Sequence, residues 1–384
     1  MKALIILYWG TIFLMYLSQV YYPAGDRVNI RRKGNFMLDR PDIFLVIIIG
    51  WLSAFMFLRT SYNDTGNYII EWRRTTQSLA EFLESGELPH LGSNPLYDLY
   101  RTLLREITDN YHIFFFFPSV LSCIGAVKLI KRYSVTPWFS LVVFFSIGTY
   151  VMYMAALKQC FAVAIVLLAL PYAIDKKYIR FYLLVILAML FHVHAFIFLA
   201  VPFFLGKPWG KVTWLLLAAV LAAMATYNAT FSVFMRAAIS LGVKVVDFEL
   251  FDGHSIHPIR IVVYAIPAVI SFFFRRQLYR DSSPSENLFA NMSITSVLIL
   301  MIGLVQGANL FARMAAYYEI ATCIALPWML QKIFNKRSQE MVFALATILF
   351  FLYFLYEFGV SKSFGSGYAA ISLWQFFAEL LGLT

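Results

Sequence analysis

The apolar positions of this chain fall in long runs, broken at intervals by short polar or basic segments. Runs at 3–20, 41–58, 112–127, 137–154, a fifth ending before 175, 212–228, 259–274, 288–305, 315–331 and 341–356 approach the roughly 17–25 residues that a helix needs to cross hydrocarbon. They predict an all-α fold, a polytopic transmembrane helix bundle of about ten full spans. No internal repeat, low-complexity tract or soluble domain interrupts them, so residues 1–384 read as a single integral membrane domain. The first run has the length of a signal peptide. It lacks a small-x-small cleavage site and is followed by basic residues, so it is kept as a helix.

The polar breaks orient the bundle. Arg27, Arg31, Arg32, Lys33 and Arg40 separate the first two runs and place that loop in the cytoplasm, because short basic loops stay on the cytoplasmic side. The N-terminus is then extracytoplasmic, and residues 59–110 and 229–258 become extracytoplasmic segments. Lys128, Lys131, Arg132 and the "DKKYIR" stretch at 175–180 fall inside, whereas Lys158 and Gln159 fall outside. The stretch 181–205 raises a parity problem. A single crossing there would put Lys207, Lys211 and "RRQLYR" at 275–280 outside, against the charge rule. Two half-helices meeting near His192 and His194 return every later basic cluster to the cytoplasm. Each arm of about 12 residues reaches roughly 18 Å, more than half of the hydrocarbon thickness. A re-entrant helical hairpin is therefore expected. The tail "SFGSGYAAISLWQFFAEL" remains outside, with the pattern of an interfacial amphipathic helix.

Composition agrees with a lipid solvent: 61% of residues are hydrophobic and 14% charged. The formal net charge of +10 is scattered through short loops with no continuous basic face, so nucleic acid is not an expected partner. Cys123, Cys160 and Cys323 lie in or beside apolar runs without metal-ligand spacing, and imply neither a disulfide framework nor a zinc site.

Candidate chemistry concentrates on the outer side. The topology brings Arg59, Asp64, Lys158, His192, His194 and Arg313 to the extracytoplasmic half, where polar side chains are costly unless they face a cavity. Cations gathered with a carboxylate and imidazoles suit a substrate carrying phosphate, which arginine grips through two parallel hydrogen bonds and lysine meets as a point charge. Asn94 and Pro95 form a turn before the amphipathic "LYDLYRTLL", which offers Tyr97 and Arg101. Structural roles compete at several positions. Arg59 can snorkel to head groups, Asp64 can form an Asx turn or cap a helix, and Gln159 can tie helices together.

The stretches "RTSYNDTGNY", "NPLYDLYRTLL" (94–104), "ALKQCFAVAIVLLA" (156–169), "KKYIRFYLLVILAMLFHVHAFIF" (176–198) and "ARMAAYYEIATCIALPWML" (312–330) together carry a resemblance. The chain resembles the EpsG family of bacterial membrane proteins, which belong with the Wzy-type polymerases of exopolysaccharide and O-antigen. An arginine followed by D-T-x-x-Y is matched by Arg59, Asp64, Thr65 and Tyr68. The family's R-Q pair is Lys158-Gln159 here, a departure that replaces a guanidinium fork with a compact ammonium. Its F-H-x-[ST]-A element is matched by Phe191, His192 and Ala195, but His194 stands where a small hydroxyl residue is common.

The resemblance implies a GT-C-like glycosyltransferase of the bacterial cytoplasmic membrane, acting on undecaprenyl-diphosphate-linked oligosaccharides. Asp64 and His192 would be catalytic. Arg59, Lys158, Gln159, His194, Arg313, Tyr97 and Arg101 would bind substrate. Other polysaccharide assembly proteins are candidate partners, and neither a metal nor a cofactor is expected, since the outer segments lack a D-x-D motif. Two alternatives stay open. A lipid-linked sugar transporter should also line a cytoplasmic half-path and show repeat symmetry. A membrane O-acyltransferase would draw its acyl group from the cytoplasm, away from the outer cations.

Overall fold

The computed structural model describes residues 1–22, 42–76, 78–84, 94–240, 255–361 and 367–383. The orienting residues Arg27, Arg31, Arg32, Lys33 and Arg40 lie outside that set, as do 241–254 of the second outer segment. The elements are α1 (Lys2–Tyr21), α2 (Ile43–Phe57), β1 (Arg59–Ser61), α3 (Thr65–Arg74), α4 (Leu79–Glu84), α5 (Pro95–Ile107), α6 (Tyr111–Tyr133), α7 (Pro137–Ser146), α8 (Thr149–Ala155), α9 (Leu157–Ile174) and α10 (Tyr178–Phe191). A 3₁₀ helix (Val193–Leu205) leads to α11 (Lys211–Ala225), α12 (Tyr227–Ser240), α13 (Pro258–Phe273), α14 (Arg275–Leu278), α15 (Pro284–Ile302), α16 (Ala308–Ala316), α17 (Glu319–Ile333), α18 (Lys336–Leu355), β2 (Ala369–Ala370) and α19 (Leu373–Leu380).

Among the described residues five helices are long and apolar enough to cross a bilayer: α1, α6, α9, α15 and α18 with its continuation to Val360. The pair α7–α8 makes a sixth, bent by 57°. The all-α membrane architecture is thus present, but the ten expected spans are not ten long helices. Gly148, at φ 79°, breaks the 137–154 run, and the run at 315–331 is divided at Tyr317 and Tyr318 between α16 and α17. Apolar helices of 10–17 residues, α2, α10, the 3₁₀ helix, α11 and α13, occupy other runs.

Burial separates the central helices from the peripheral ones. The spans of α9 and α15 are 72% buried, against 39% for α1 and 33% for the Lys336–Val360 helix. Together with α6, α7 and α17, the former pair makes the middle of the bundle. Pro118 inside α6 cannot donate to the Phe114 carbonyl. The Tyr100 hydroxyl donates to that carbonyl instead, at 2.7 Å, which pins α5 onto the bundle.

The 178–205 stretch folds back on itself. His192 has an extended backbone (φ −158°, ψ 115°) between α10 and the 3₁₀ helix. Its Nδ1 lies 3.0 Å from the Tyr317 hydroxyl. At the far end, the carbonyls of Phe204, Leu205 and Gly206 accept from Asn287 and Asn291 in the first turns of α15. α10 packs along α9, joined to it by a three-residue turn, so its start lies away from Lys158. Both arms therefore run between one end of the bundle and the histidines at the other. The 3₁₀ winding rises about 2.0 Å per residue, which carries this arm about 26 Å rather than the ~20 Å of an α-helix of the same length.

A thin outer layer fixes the loop after α2. β1 pairs antiparallel with β2, Arg59 opposite Ala370. Tyr368 stacks on Phe55 with ring centroids 4.0 Å apart, and its hydroxyl donates to the Phe55 carbonyl. α19 sets Phe376 against Phe57 and leaves Leu373, Trp374, Phe377 and Leu380 exposed.

Candidate functional site

The loop from β1 to α3 is held by Arg59 from below. Its Nε donates to Thr65 Oγ1 at 2.9 Å and its Nη1 to the Met56 carbonyl, while Cζ lies 4.4 Å over the Phe115 ring. Thr65 Oγ1 in turn donates to the Tyr62 carbonyl. Arg59 is fully buried, and among the described residues its Nη2 has no hydrogen-bond partner. Burial lowers its guanidinium to about 10. Tyr62 and Asn63 both have positive φ, 133° and 50°. Such conformations strain a non-glycine residue and persist only where the surroundings over-determine them. Three groups do so here: Arg59, Thr65 and the β2 segment.

That strained turn delivers Asp64 to a partner 249 positions away in the chain: its Oδ2 lies 3.1 Å from Arg313 Nη2, in the last turn of α16. One turn on, the Tyr68 hydroxyl meets the Lys158 backbone. A second turn brings Glu71, whose Oε1 pairs with Lys158 Nζ at 3.1 Å and with Arg101 Nη1. Arg101 also reaches Asp98 at 3.2 Å. Lys158 Nζ lies 4.8 Å over the ring of Tyr97, a fully buried residue whose hydroxyl burial raises well above the usual phenol range. Three cations and three carboxylates thus interlock, with the Asp64, Arg313, Lys158 and Glu71 side chains each 27–31% exposed.

The histidines close the other side. The His192 and His194 rings meet edge-on at 4.6 Å, and electrostatic interactions link both to Arg313. His194 Nδ1 is buried without a partner among the described residues. Asn94, in a left-handed conformation (φ 55°), caps α5 and accepts from the Val193 N–H at 3.3 Å, tying the 94–95 turn to the hairpin tip. Gln159 Nε2 donates to the Arg313 carbonyl at 2.6 Å, so this side chain fastens α9 to α16.

Asp64, Tyr97, Arg101, Lys158, Gln159, His192, His194 and Arg313 are therefore one constellation, assembled from α3, α5, α9, the hairpin tip and α16. Arg59 stands apart from them, beneath the loop. Glu71, Asp98 and Tyr317 were not singled out from the sequence. Glu71 had a signal, since it lies seven residues past Asp64 and hence on the same helical face. Chemically, the array offers cations already balanced by carboxylates, which an incoming anion can displace, and proton acceptors in Asp64 and His192.

A sequence model of the EpsG family matches residues 42–371, which include every residue of the constellation. The chain belongs to the EpsG family. Membership makes it an exopolysaccharide polymerase-like protein of a membrane. No curated protein and no solved structure matches it.

Proposed function

We propose that this EpsG-family chain polymerises undecaprenyl-diphosphate-linked oligosaccharide repeat units at the extracytoplasmic face of the bacterial cytoplasmic membrane. The observation that carries the reading is the partly exposed Asp64–Arg313 pair beside Lys158–Glu71 and His192. A hydroxyl oxygen of one lipid-linked repeat attacks the anomeric carbon of the growing chain. The bond from that carbon to the diphosphate oxygen breaks, and undecaprenyl diphosphate leaves with the electron pair. Its developing charge needs fixed cations, because electrostatic stabilisation is usually the largest catalytic contribution. In this reading Arg313 and Lys158 supply them by exchanging a carboxylate for phosphate oxygens. The exchange leaves Asp64 open to take the proton of the acceptor hydroxyl, as a general base must lie within hydrogen-bond reach. His192 is the second candidate for that proton.

The reading includes about ten crossings, with an outer N-terminus and a hairpin entered from the cytoplasm. It also leaves room for contact with other polysaccharide assembly proteins. Mass spectrometry of purified protein supplied only with lipid-linked repeat units tests it. Longer lipid-linked chains are expected. Unchanged length with transfer across the bilayer would make the protein a transporter, and a gain of acyl mass alone an acyltransferase.

A further inference from the structure

A cleft of about 660 Å³ opens from the charged constellation along the outer surface, between α3 and α5. Asn67, Ile70, Glu71 and Arg74 line it from α3, Thr76 from the segment beyond, and Arg101 from α5. Positions 67, 70, 71 and 74 follow the spacing of one helix face, so the wall is built by α3 itself. Glu71 belongs to both places: its carboxylate faces the cleft and holds Lys158 of the constellation. The cleft therefore begins where the proposed reaction takes place and runs outward from it. Its volume lies within the roughly 300–1,000 Å³ of small-molecule sites.

The lining mixes an amide, threonine hydroxyls, a carboxylate and guanidinium groups around one aliphatic side chain. Sugars present hydroxyls that both donate and accept, and this mixture answers both. Charge adds a second criterion. Arg101 is balanced by Glu71 and Asp98, but Arg74, exposed in the last turn of α3, makes no ion pair or hydrogen bond among the described residues. We infer that this cleft is a saccharide subsite for the part of a repeat unit distal to the reacting bond, and that Arg74 selects repeats carrying a carboxylate there. Guanidinium suits this role, since it pairs with a planar carboxylate through two parallel hydrogen bonds. The inference rests on the polymerase reading for why a glycan lies there, but its test does not require polymerisation.

The full-length protein is titrated with a panel of uronate-containing disaccharides and their neutral counterparts, free of lipid. Acidic members should bind at least tenfold more tightly than neutral ones. Arg74→Ala should erase that preference, and Thr76→Trp, which fills the cleft from an exposed position, should remove binding of both kinds. Equal binding of acidic and neutral sugars, no binding of either, or a preference that survives Arg74→Ala would overturn the subsite. If the disaccharides bind with the expected Arg74 dependence while lipid-linked units never lengthen, the polymerase reading fails and the subsite stands. Chain growth without any disaccharide preference is the reverse outcome.

Discussion

Two charged clusters lie within this bundle and differ mainly in exposure. In the outer one the side chains of Asp64 and Arg313 are 31% and 30% exposed. In the other, Glu319 is fully buried and Arg260 is 12% exposed, with Nη2 4.0 Å from Glu319 Oε1. The buried cluster surrounds the break between α7 and α8. Thr149 Oγ1 donates to Glu319 at 3.0 Å, and the Tyr264 hydroxyl donates to the Ile147 carbonyl beside Gly148. Glu357, also buried, interacts electrostatically with Arg260. Broken helices within a membrane protein are tolerated where such groups satisfy the freed backbone. A partly exposed pair contributes little net stability, so its partners can be exchanged for a ligand. A buried pair cannot open without stranding a charge. The same residue types thus serve as scaffold in one place and as a proposed binding site in the other.

Breaking the buried cluster should have the largest effect. Arg260→Ala strands Glu319 and is expected to cost about 3–5 kcal/mol of stability. Joint replacement, Arg260→Met with Glu319→Leu, should recover much of the loss. Thermal unfolding in detergent measures both, and a wild-type melting temperature for Arg260→Ala would erase the distinction between the clusters. In the outer cluster the effect should fall on activity. Arg313→Ala should leave the protein folded and inserted but reduce polymerisation at least about a hundredfold. Full polymer length would remove the cationic seat.

Asp64→Asn should preserve the turn, because the Asp64 side chain makes no cap there and the loop is held by Arg59 and Thr65, yet stop chain growth, because an amide cannot accept the proton. Near-normal chain length in that variant would leave His192 as the base. Arg59→Lys sharpens the contrast from the other side. Its ammonium lacks the fork that reaches Thr65 and Met56 together, so a loss on the order of 1–3 kcal/mol in stability is expected. A loss of polymerisation with unchanged stability would instead make Arg59 a substrate ligand. The smallest effect concerns Lys158. Arginine there should restore most of the activity that Lys158→Ala loses, a difference of about tenfold in initial rate. Equal defects in the two variants would argue that the ammonium's placement over Tyr97, rather than its charge, matters.

Much of the outer site was legible because polar residues in apolar surroundings are conspicuous. Lys158, His192, His194 and Arg313 stand out on that ground, whereas Asp64 sits in the polar stretch "RTSYNDTGNY" and is marked by the family pattern that it matches. The same criterion, applied to "YYEIATC", would have raised Glu319 as an intramembrane carboxylate. Arg59 is the opposite case. Its place at the end of an apolar run announces a special residue, but nothing local says that its guanidinium turns inward beneath Phe115.

Hydropathy and charge along the chain by themselves determined the membrane as solvent and the helix as the dominant element. Both follow from local quantities, the length of an apolar run and the need of its backbone to satisfy its own hydrogen bonds in lipid. The break at His192 was legible too, from the basic residues that flank the hairpin. Only the tertiary structure decided the pairings: Asp64 with Arg313, Glu71 with both Lys158 and Arg101, and Glu319 with Thr149 and Arg260. Apart from the Glu71–Arg101 contact within residues 59–110, these join residues from 59 to 249 positions apart. Whether a cation ends beside a carboxylate depends on which helices pack, and the long apolar spans that lie between these partners in the chain carry no periodic stripe that announces the neighbour.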